Sequence, residues 1–177
     1  MQPNLQPMLR GAGVFLRPLT EQDFDACHAA ACDPEIWAQH PDRERHRADV
    51  FRQHFFSSAV TSQSAFVIVE SSSGRIIGST RFYDWDPAGR SIAIGYTFFE
   101  RAHWGLRTNG EVKRLMLEHA FSFSDAVWFH VAEKNLRSRR AVEKLGARLV
   151  GREPRVLGQT EYLVLFYQLT TRDWQTR

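Results

Sequence analysis

The segment ERAHWGLRTNGEVK, residues 100–113, places small and basic residues directly before a long amphipathic pattern. Backbone amides at a helix N-terminus are unpaired, and the helix dipole adds about half a positive charge there. The amides of residues 106–110 therefore form a candidate cradle for a phosphate or another anion. Gly105 and Gly110 permit close approach of a ligand to the backbone, and Arg107 and Lys113 add positive charge.

The same residues also suit a capping arrangement. Thr108 and Glu111 have the T-x-x-E spacing of a capping box, in which side chains satisfy the first amides of a helix. Such a box would weaken the anion site, and the spacing alone leaves both interpretations open. The segment matches neither the GxxxxGK[ST] loop nor the GxGxxG fingerprint, which gives nucleoside-triphosphatase and dinucleotide-binding functions little support.

A second polar segment, NLRSRRAVEKLG at residues 135–146, follows a predicted buried strand. Asn135 is able to cap the helix that begins there, and Ser138 lies in its first turn. Capping alone would explain either residue. However, both segments follow adjacent strands of one predicted strand–helix–strand unit, where ligands of open α/β sheets bind. Three cations lie in the second segment: Arg137, Arg139 and Arg140.

The basic residues are concentrated around these two segments. The net charge of the whole chain is +3, but residues 101–155 carry 12 basic and 6 acidic side chains, a net of +6. Residues 1–100 carry 9 basic and 12 acidic side chains, a net of −3. Most of the cations are arginines, which bind phosphate through paired hydrogen bonds. The distribution suits a phosphorylated cofactor, a nucleic acid or a solvated basic face.

Hydrophobic periodicity predicts one mixed α/β domain with the element order β-α-α-β-β-β-α-β-α-β-β. Its central sheet is expected to be mixed, mostly antiparallel and flanked by helices. The predicted strands are 14–19, 65–70, 75–83, 91–99, 127–131, 148–153 and 162–170. The first predicted helix starts after an N-cap at Thr20 and ends at Asp33-Pro34, and the others are about 43–60, 109–123 and 136–145.

Length and composition exclude several classes of protein. A chain of 177 residues with 43% hydrophobic residues is able to bury a core without disulfides and is not a disordered chain. We expect a flexible N-terminus over residues 1–12 and a single domain over 13–177. No apolar run reaches the length of a membrane helix, and the N-terminus lacks a signal-peptide core, so a cytoplasmic protein is expected.

The two cysteines, Cys27 and Cys32, are expected to be buried free thiols in a reducing compartment. No second ligand pair with zinc spacing accompanies them, so no metal site is predicted. The sequence does not fix the oligomeric state, and both a monomer and a homodimer stay open.

Five segments in this order resemble the GNAT superfamily of acyl-CoA-dependent N-acetyltransferases, and most closely its Rim-type branch of ribosomal-protein N-terminal acetyltransferases. The resemblance covers about residues 14–174. It implies a GNAT-like acyl-CoA N-acyltransferase domain that moves an acetyl group from acetyl-CoA to a primary amine, on a protein N-terminus or a small molecule. The segments are IGSTRFY (77–83), IGYTFF (94–99), HWGLRTNGEVKRLMLEHAF (103–121), NLRSRRAVEKLGA (135–147) and DW (173–174).

The resemblance also implies roles for particular residues. The loop before the long helix would hold the CoA diphosphate, the strand before it would pair with the pantetheine arm, and the next helix start would line the thiol end. The implied cofactor-binding residues are Thr97, Phe98, Phe99, Trp104, Gly105, Leu106, Arg107, Thr108, Asn109, Gly110, Asn135, Ser138 and Arg139. The implied catalytic residues are Ser138, Asn135 and Glu133.

Direct attack on a thioester requires a neutral amine. An α-amine has a pKa of about 8 and a lysine side chain one of about 10.4, so an α-amine needs less help from a base. Ser138 is expected to donate a hydrogen bond or proton to the departing thiolate, and a backbone amide near Phe98 to hold the oxyanion. The candidate bases are Glu133, Glu111, Tyr96 and His130.

Departures from the family pattern keep other functions open. Val142 stands where many relatives have a tyrosine acid, and Ala93 where the Rim-type branch often has a glutamate. A non-catalytic acyl-CoA-binding or sensing module is therefore an alternative. An RNA- or ribosome-binding protein is a third, although the arginine segment lacks the interleaved aromatic residues of a single-strand platform. The family loop is usually Arg/Gln-x-x-Gly-x-Gly/Ala, and Trp104, Arg107 and Asn109 stand at its three defined positions here.

Overall fold

A computed structural model describes residues 2–176 of the chain. The strands are β1 (Leu9–Arg10), β2 (Val14–Pro18), β3 (Ala65–Glu70), β4 (Ile76–Asp86), β5 (Ser91–Phe99), β6 (Ala126–Ala132), β7 (Arg148–Leu157) and β8 (Thr160–Thr170). The helices are α1 (Phe24–Ala31), α2 (Ala48–Phe51), α3 (Ser57–Thr61), α4 (Thr108–Ala120), α5 (Leu136–Lys144) and α6 (Thr171–Gln175). The strands form one eight-stranded sheet in the order β1-β2-β3-β4-β5-β6-β8-β7.

Every neighbouring pair in the sheet is antiparallel except β5 and β6. Helix α4 connects these two parallel strands, so together they form the predicted strand–helix–strand unit. Their pairing joins only residues 91–93 to residues 126–128, and beyond these residues the ladder stops. The prediction of a mixed, mostly antiparallel sheet flanked by helices is confirmed.

Two apolar clusters cover the two faces of the sheet. One face packs against α4, whose Val112, Met116 and Ala120 are fully buried. The other face, which includes Val67 and Phe98, packs against the segment that holds α1, α2 and α3. Because successive strand residues point to opposite faces, the central strands contribute to both clusters.

The predicted helix at 43–60 is interrupted in the structure. A 3-10 turn at Arg43–His46 ends at Arg47, whose ψ of 137° is extended. A π-helical turn at Arg52–Phe56 then joins α2 to α3. The wider turn changes the 3.6-residue period on which the prediction depended. It brings three phenylalanines into the core: Phe51, Phe55 and Phe56.

Other element boundaries also differ from the prediction. Strands β4 and β7 extend to Asp86 and Leu157, because each keeps pairing with its neighbour through residues typical of turns. Helix α4 ends at Ala120 rather than at Phe123, and the Ala120 carbonyl accepts a hydrogen bond from the Ser124 hydroxyl at 2.8 Å. The structure adds β1 and α6 to the predicted order.

The segment before residue 13 contacts the rest of the fold. Strand β1 pairs with β2, and Gln6 Nε2 donates to the carbonyl of Ala65 at 2.8 Å. The Asn4 carbonyl oxygen lies 2.7 Å from His119 Nε2. The flexibility expected for this segment, and a domain boundary at residue 13, stay predictions.

Gly78 tests how closely β4 and β5 must approach. A Cβ added there would lie 2.2 Å from the carbonyl oxygen of Phe98, so β5 would have to move. We expect Gly78→Ala to lower the free energy of unfolding by about 2 kcal/mol, as overpacking generally does. Chemical denaturation measures it against Gly151→Ala, whose Cβ would make only ordinary contact with Phe166 at 3.8 Å. Equal losses in the two variants would contradict the prediction.

Candidate functional site

The residues implied in cofactor binding lie at one edge of the sheet. Parallel strands present their carboxyl ends at the same edge, so Thr97–Phe99 at the end of β5 and the residues after β6 flank one opening. From Ile94 onward β5 has no ladder partner on its β6 side. Its backbone amides and carbonyls on that side are therefore available for a ligand that carries its own hydrogen-bonding groups.

A β-bulge in β5 lies at this opening. Tyr96 and Thr97 together stand opposite the single residue Thr80 of β4. Tyr96 has a φ of +52°, in the left-handed region that an aromatic residue rarely adopts. The bulge places Thr97 Oγ1 2.8 Å from Thr80 Oγ1, while Tyr96 contacts the other face. Bulges of this kind redirect side chains beside functional sites.

The start of α4 offers a run of unpaired amides. Arg107 is the residue before the helix, and its side chain makes no capping hydrogen bond. Within residues 2–176, none of the backbone amides of residues 105–110 donates a hydrogen bond to the protein. Gly105 has a φ of +74°, and a Cβ added at Gly105 or Gly110 would meet no atom within 4 Å. This loop therefore presents an open, electropositive backbone surface.

The predicted capping box does not form. The Glu111 carboxylate instead accepts a hydrogen bond from the amide of Gly13, at 3.0 Å from Oε1. Gly13 precedes β2 and lies 98 positions away in sequence. Because Glu111 is engaged there, the alternative that its side chain and Thr108 satisfy the first amides of α4 is excluded in this structure.

Trp104 and Arg137 brace the loop against its surroundings. Trp104 Nε1 donates to the carbonyl of Phe99 at 3.2 Å, and the Arg137 guanidinium lies 3.8 Å above the Trp104 ring. Arg137 also donates to the carbonyl of Ile36 at 2.7 Å. This arginine thus connects the start of α5 to the loop before α4 and to the helical segment that follows α1.

Asn135 and Ser138 occupy the start of α5. Asn135 Oδ1 accepts a hydrogen bond from the Ser138 amide at 3.2 Å, so Asn135 is the N-cap of the helix. The Ser138 hydroxyl makes no hydrogen bond to any residue within 2–176, and the residue is half-buried. Glu133 is exposed at the end of β6. Arg139 donates to Tyr167 Oη at 3.2 Å and to the carbonyl of Glu133 at 3.2 Å, so its guanidinium is already engaged.

Lys113 spans the opening on the α4 face of the sheet. Its Nζ donates to Thr97 Oγ1 at 2.8 Å and lies 5.8 Å from the centre of the Phe129 ring in β6. The residue is 5% exposed, and burial lowers the pKa of Lys113 to about 7. The sequence suggests Lys113 as a phosphate-binding cation, whereas in the structure the side chain points to the bulge. The position of Lys113 next to Val112, at the border of the apolar face of α4, was the one sequence signal that its side chain is buried.

The opposite face of the bulge carries an aromatic and basic cluster. The Arg81 guanidinium lies 3.6 Å from the centre of the Tyr96 ring. Tyr83 contacts both Tyr96 and His130, with ring centres 5.2 and 5.5 Å apart. Burial lowers the pKa of His130, so the neutral imidazole, which is able to accept a proton, prevails at pH 7. Sequence reasoning missed Arg81, although strand alternation places it on the same face as Tyr83.

An opening between two parallel strands, beside a helix start with free amides, is an arrangement in which α/β proteins bind phosphorylated ligands. Residues 14–148 match the family described as an acetyltransferase (GNAT) domain. The chain belongs to the GNAT family of acetyltransferases, and the resemblance inferred from its five segments is confirmed.

Solved structures share this fold at low sequence identity. A GCN5-related N-acetyltransferase from Brucella melitensis has a TM-score of 0.86 and 20% identity over 96% of this chain and 81% of that one. RimJ from Mycobacterium smegmatis, in complex with CoA-disulfide, has a TM-score of 0.74 and 20% identity over 98% and 91%. Spermidine N-acetyltransferase from Vibrio cholerae, in complex with CoA and spermine, has a TM-score of 0.72 and 15% identity over 93% and 99%.

Three smaller points concern the expected absences and the cysteines. In the described part of the chain, no helix has both the length and the hydrophobicity needed to span a bilayer. Nor do residues 2–176 hold a group of three or more His, Cys, Asp or Glu side chains arranged for a metal ion. Both cysteines are free, but only Cys27 is buried. The prediction of a buried Cys32 is wrong, because Cys32 follows the end of α1 and faces solvent.

Lys113→Met should stabilise the protein at pH 7, because burial disfavours the charged amine of the wild type. The folded-state pKa of about 7 lies below the ordinary value of 10.5. The unfolded chain therefore binds more protons between these values, and wild-type stability rises with pH across that window. The gain from the variant is about 2 kcal/mol or more at pH 7 and shrinks toward pH 10.

Urea denaturation between pH 7 and pH 10 measures this difference. Arg114→Met is the matched control, since Arg114 is the next residue along α4 and its side chain is exposed beside Glu118. A difference between Lys113→Met and wild type that stays constant with pH would show that the buried amine does not titrate in this range.

Proposed function

We propose that the protein transfers an acetyl group from acetyl-CoA to a primary amine by direct attack of the amine on the thioester. The observation that carries the proposal is the run of unpaired amides at residues 105–110 beside the opening between β5 and β6. These amides fit a diphosphate, because they combine several donors with the positive end of a helix dipole. The unpaired edge of β5 fits the amide groups of a pantetheine arm.

In this proposal acetyl-CoA supplies the activated acyl group, and the protein binds and orients it. The amides of Leu106–Gly110 hold the diphosphate, and the exposed Arg107 adds charge beside them. The backbone of Thr97–Phe99 pairs with the pantetheine arm. Trp104 supports the loop through its hydrogen bond to the Phe99 carbonyl.

The chemistry needs a base for the amine, a donor for the oxyanion and a donor for the departing thiolate. We assign the last role to the free hydroxyl of Ser138, which Asn135 positions by capping α5. A backbone amide near Phe98, at the bulge, would stabilise the oxyanion. Of the candidate bases, His130 contacts Tyr83 beside the bulge, whereas Glu133 is exposed beyond β6.

The basic excess of residues 101–155 supports RNA binding less well. Several of its arginines already have acidic partners on the surface, so they do not form a free positive stripe of the kind that phosphate backbones bind. These pairs are Arg114–Glu118, Arg139–Glu143, Arg148–Asp173 and Arg155–Glu153.

Calorimetry with CoA and a thiol-release assay with acetyl-CoA test the proposed function. The assay uses a panel of N-terminal peptides, amino acids, polyamines and aminoglycosides. We expect CoA binding and turnover of at least one class of amine. Binding without turnover across the panel would favour the non-catalytic acyl-CoA-binding module. No heat with CoA at millimolar concentration would contradict the proposal.

Leu106→Asp should weaken CoA binding by about tenfold or more, because the new carboxylate would compete for the free amides and repel the diphosphate. Leu106 is 57% exposed, so the fold should tolerate the change. Leu106→Asn, which has the same shape without the charge, should stay within about threefold of wild type. Calorimetric titration with CoA compares the three proteins, and equal affinities would place the diphosphate elsewhere.

Ser138→Ala should lower kcat by about a hundredfold, because the thiolate would leave without a proton donor. Binding of CoA should change by less than about threefold, since the Ser138 amide still donates to Asn135. Steady-state kinetics with the best amine of the panel and calorimetry with CoA separate the two effects. An unchanged kcat would remove Ser138 from the mechanism.

A further inference from the structure

Arg81 is a buried cation without a counter-charge. The residue is 6% exposed, and its Nε is buried without a hydrogen-bond acceptor. One η nitrogen donates a long hydrogen bond, 3.4 Å, to Ser58 Oγ, and the guanidinium stacks on Tyr96. Among residues 2–176 no carboxylate lies within ion-pair distance of Arg81. A guanidinium stays protonated in proteins, so its charge persists in the buried site.

A second buried arginine on the same face is compensated differently. Arg45 is 9% exposed, and its Nε forms an ion pair with Asp42 at 3.1 Å. The Asp42 carboxylate also bonds to His54 Nδ1 at 2.9 Å. Both contacts are made by Asp42 Oδ2, so this carboxylate compensates Arg45 and contacts His54, and it forms no ion pair with Arg81.

Arg81 lies beside the place where the acetyl group would be delivered. It pairs with Gly95 across β4 and β5, directly before the bulge at Tyr96. Neighbouring strands are about 4.8 Å apart, so Arg81 is next to the end of β5, where the proposed function places the thioester. The Tyr96 side chain covers the guanidinium, and this residue is 42% exposed. A ligand group would reach the guanidinium once the Tyr96 ring turns away.

We propose that the acceptor is an amine that also carries a carboxylate, and that this carboxylate binds the Arg81 guanidinium while the amine faces the thioester. The inference rests on the proposed function and specifies its substrate class. A carboxylate would supply the missing counter-charge and accept paired hydrogen bonds. A polyamine would bring like charge to a buried cation, which disfavours it.

The transfer step itself balances without a further reactant. The amine nitrogen forms a bond to the acetyl carbon, and the carbon–sulfur bond breaks. The proton that the nitrogen loses ends on the sulfur of CoA, directly or through side chains of the site. The carboxylate takes no part in bond making, so Arg81 acts as a specificity-determining residue.

Matched pairs of acceptors test the proposal in the thiol-release assay with the full chain. One pair is an amino acid and its carboxamide, which differ in the α-carboxylate. A second is a peptide amide that begins with Asp and one that begins with Asn, which differ in a side-chain carboxylate. The carboxylate member of at least one pair should have a kcat/KM about tenfold higher or more, and the pair that responds identifies the source. Spermidine should be a poor acceptor.

Arg81→Gln should remove this preference. The kcat/KM of the carboxylate acceptor should fall to that of its carboxamide, while the carboxamide value stays within about threefold. Arg47→Gln is the matched control, because it removes the same charge from a side chain that is 55% exposed. Equal losses for both members of a pair, or a wild-type preference for spermidine, would overturn the proposal.

Two further measurements keep the outcome decisive. If Arg81→Gln does not fold, as thermal melting would show, the comparison of acceptor pairs on the wild type still decides. If the wild type turns over no amine, calorimetry with the acceptor pairs alone decides, without acetyl-CoA. Tighter binding of the carboxylate member by about tenfold would then support the anion site even though the proposed transfer fails, and equal binding would overturn it.

Discussion

The early end of the β5–β6 ladder is the constraint on which the site depends. Three residue pairs hold the parallel strands together. Beyond these pairs, the facing backbone amides and carbonyls of the two strands lack each other as partners and need other hydrogen-bonding groups. Helix α4 connects the same two strands, so its unpaired first amides lie at the mouth of the same opening. One interruption in the sheet therefore places a free edge of β5 next to the free amides at the start of α4.

The sequence predicted the fold where local patterns and tertiary packing agree. Val112, Met116 and Ala120 recur at helical spacing, and they are the residues that α4 buries. The segment 43–60 was predicted less well. Its π turn buries both Phe55 and Phe56, and local sequence preferences do not predict such a turn. Strand β7 is exposed along most of its length. It therefore has no alternation of buried and exposed residues from which the end of the strand could be predicted.

The candidate site was predictable only in its backbone part. Unpaired amides follow from any helix start, so residues 106–110 were identified from sequence alone. The competing capping box failed because Glu111 bonds to Gly13, a contact that no local spacing reveals. The burial of Arg81 was not predictable, because its neighbours in RIIGSTRFY indicate a half-polar strand face. Residues distant in sequence cover it: Tyr96 stacks on its guanidinium and Ser58 of α3 accepts a hydrogen bond from it.

The two buried cations at the bulge differ in how they tolerate burial, and this difference bears on the acceptor. Lys113, on the α4 face, is able to lose its proton, and burial lowers its pKa to about 7. Arg81, on the other face, cannot do so and keeps its charge under Tyr96. The face that would receive CoA is thus relieved of part of its buried charge, whereas the face left for the acceptor stays positive. An acceptor that brings a carboxylate completes that face, and one that brings only further positive charge does not.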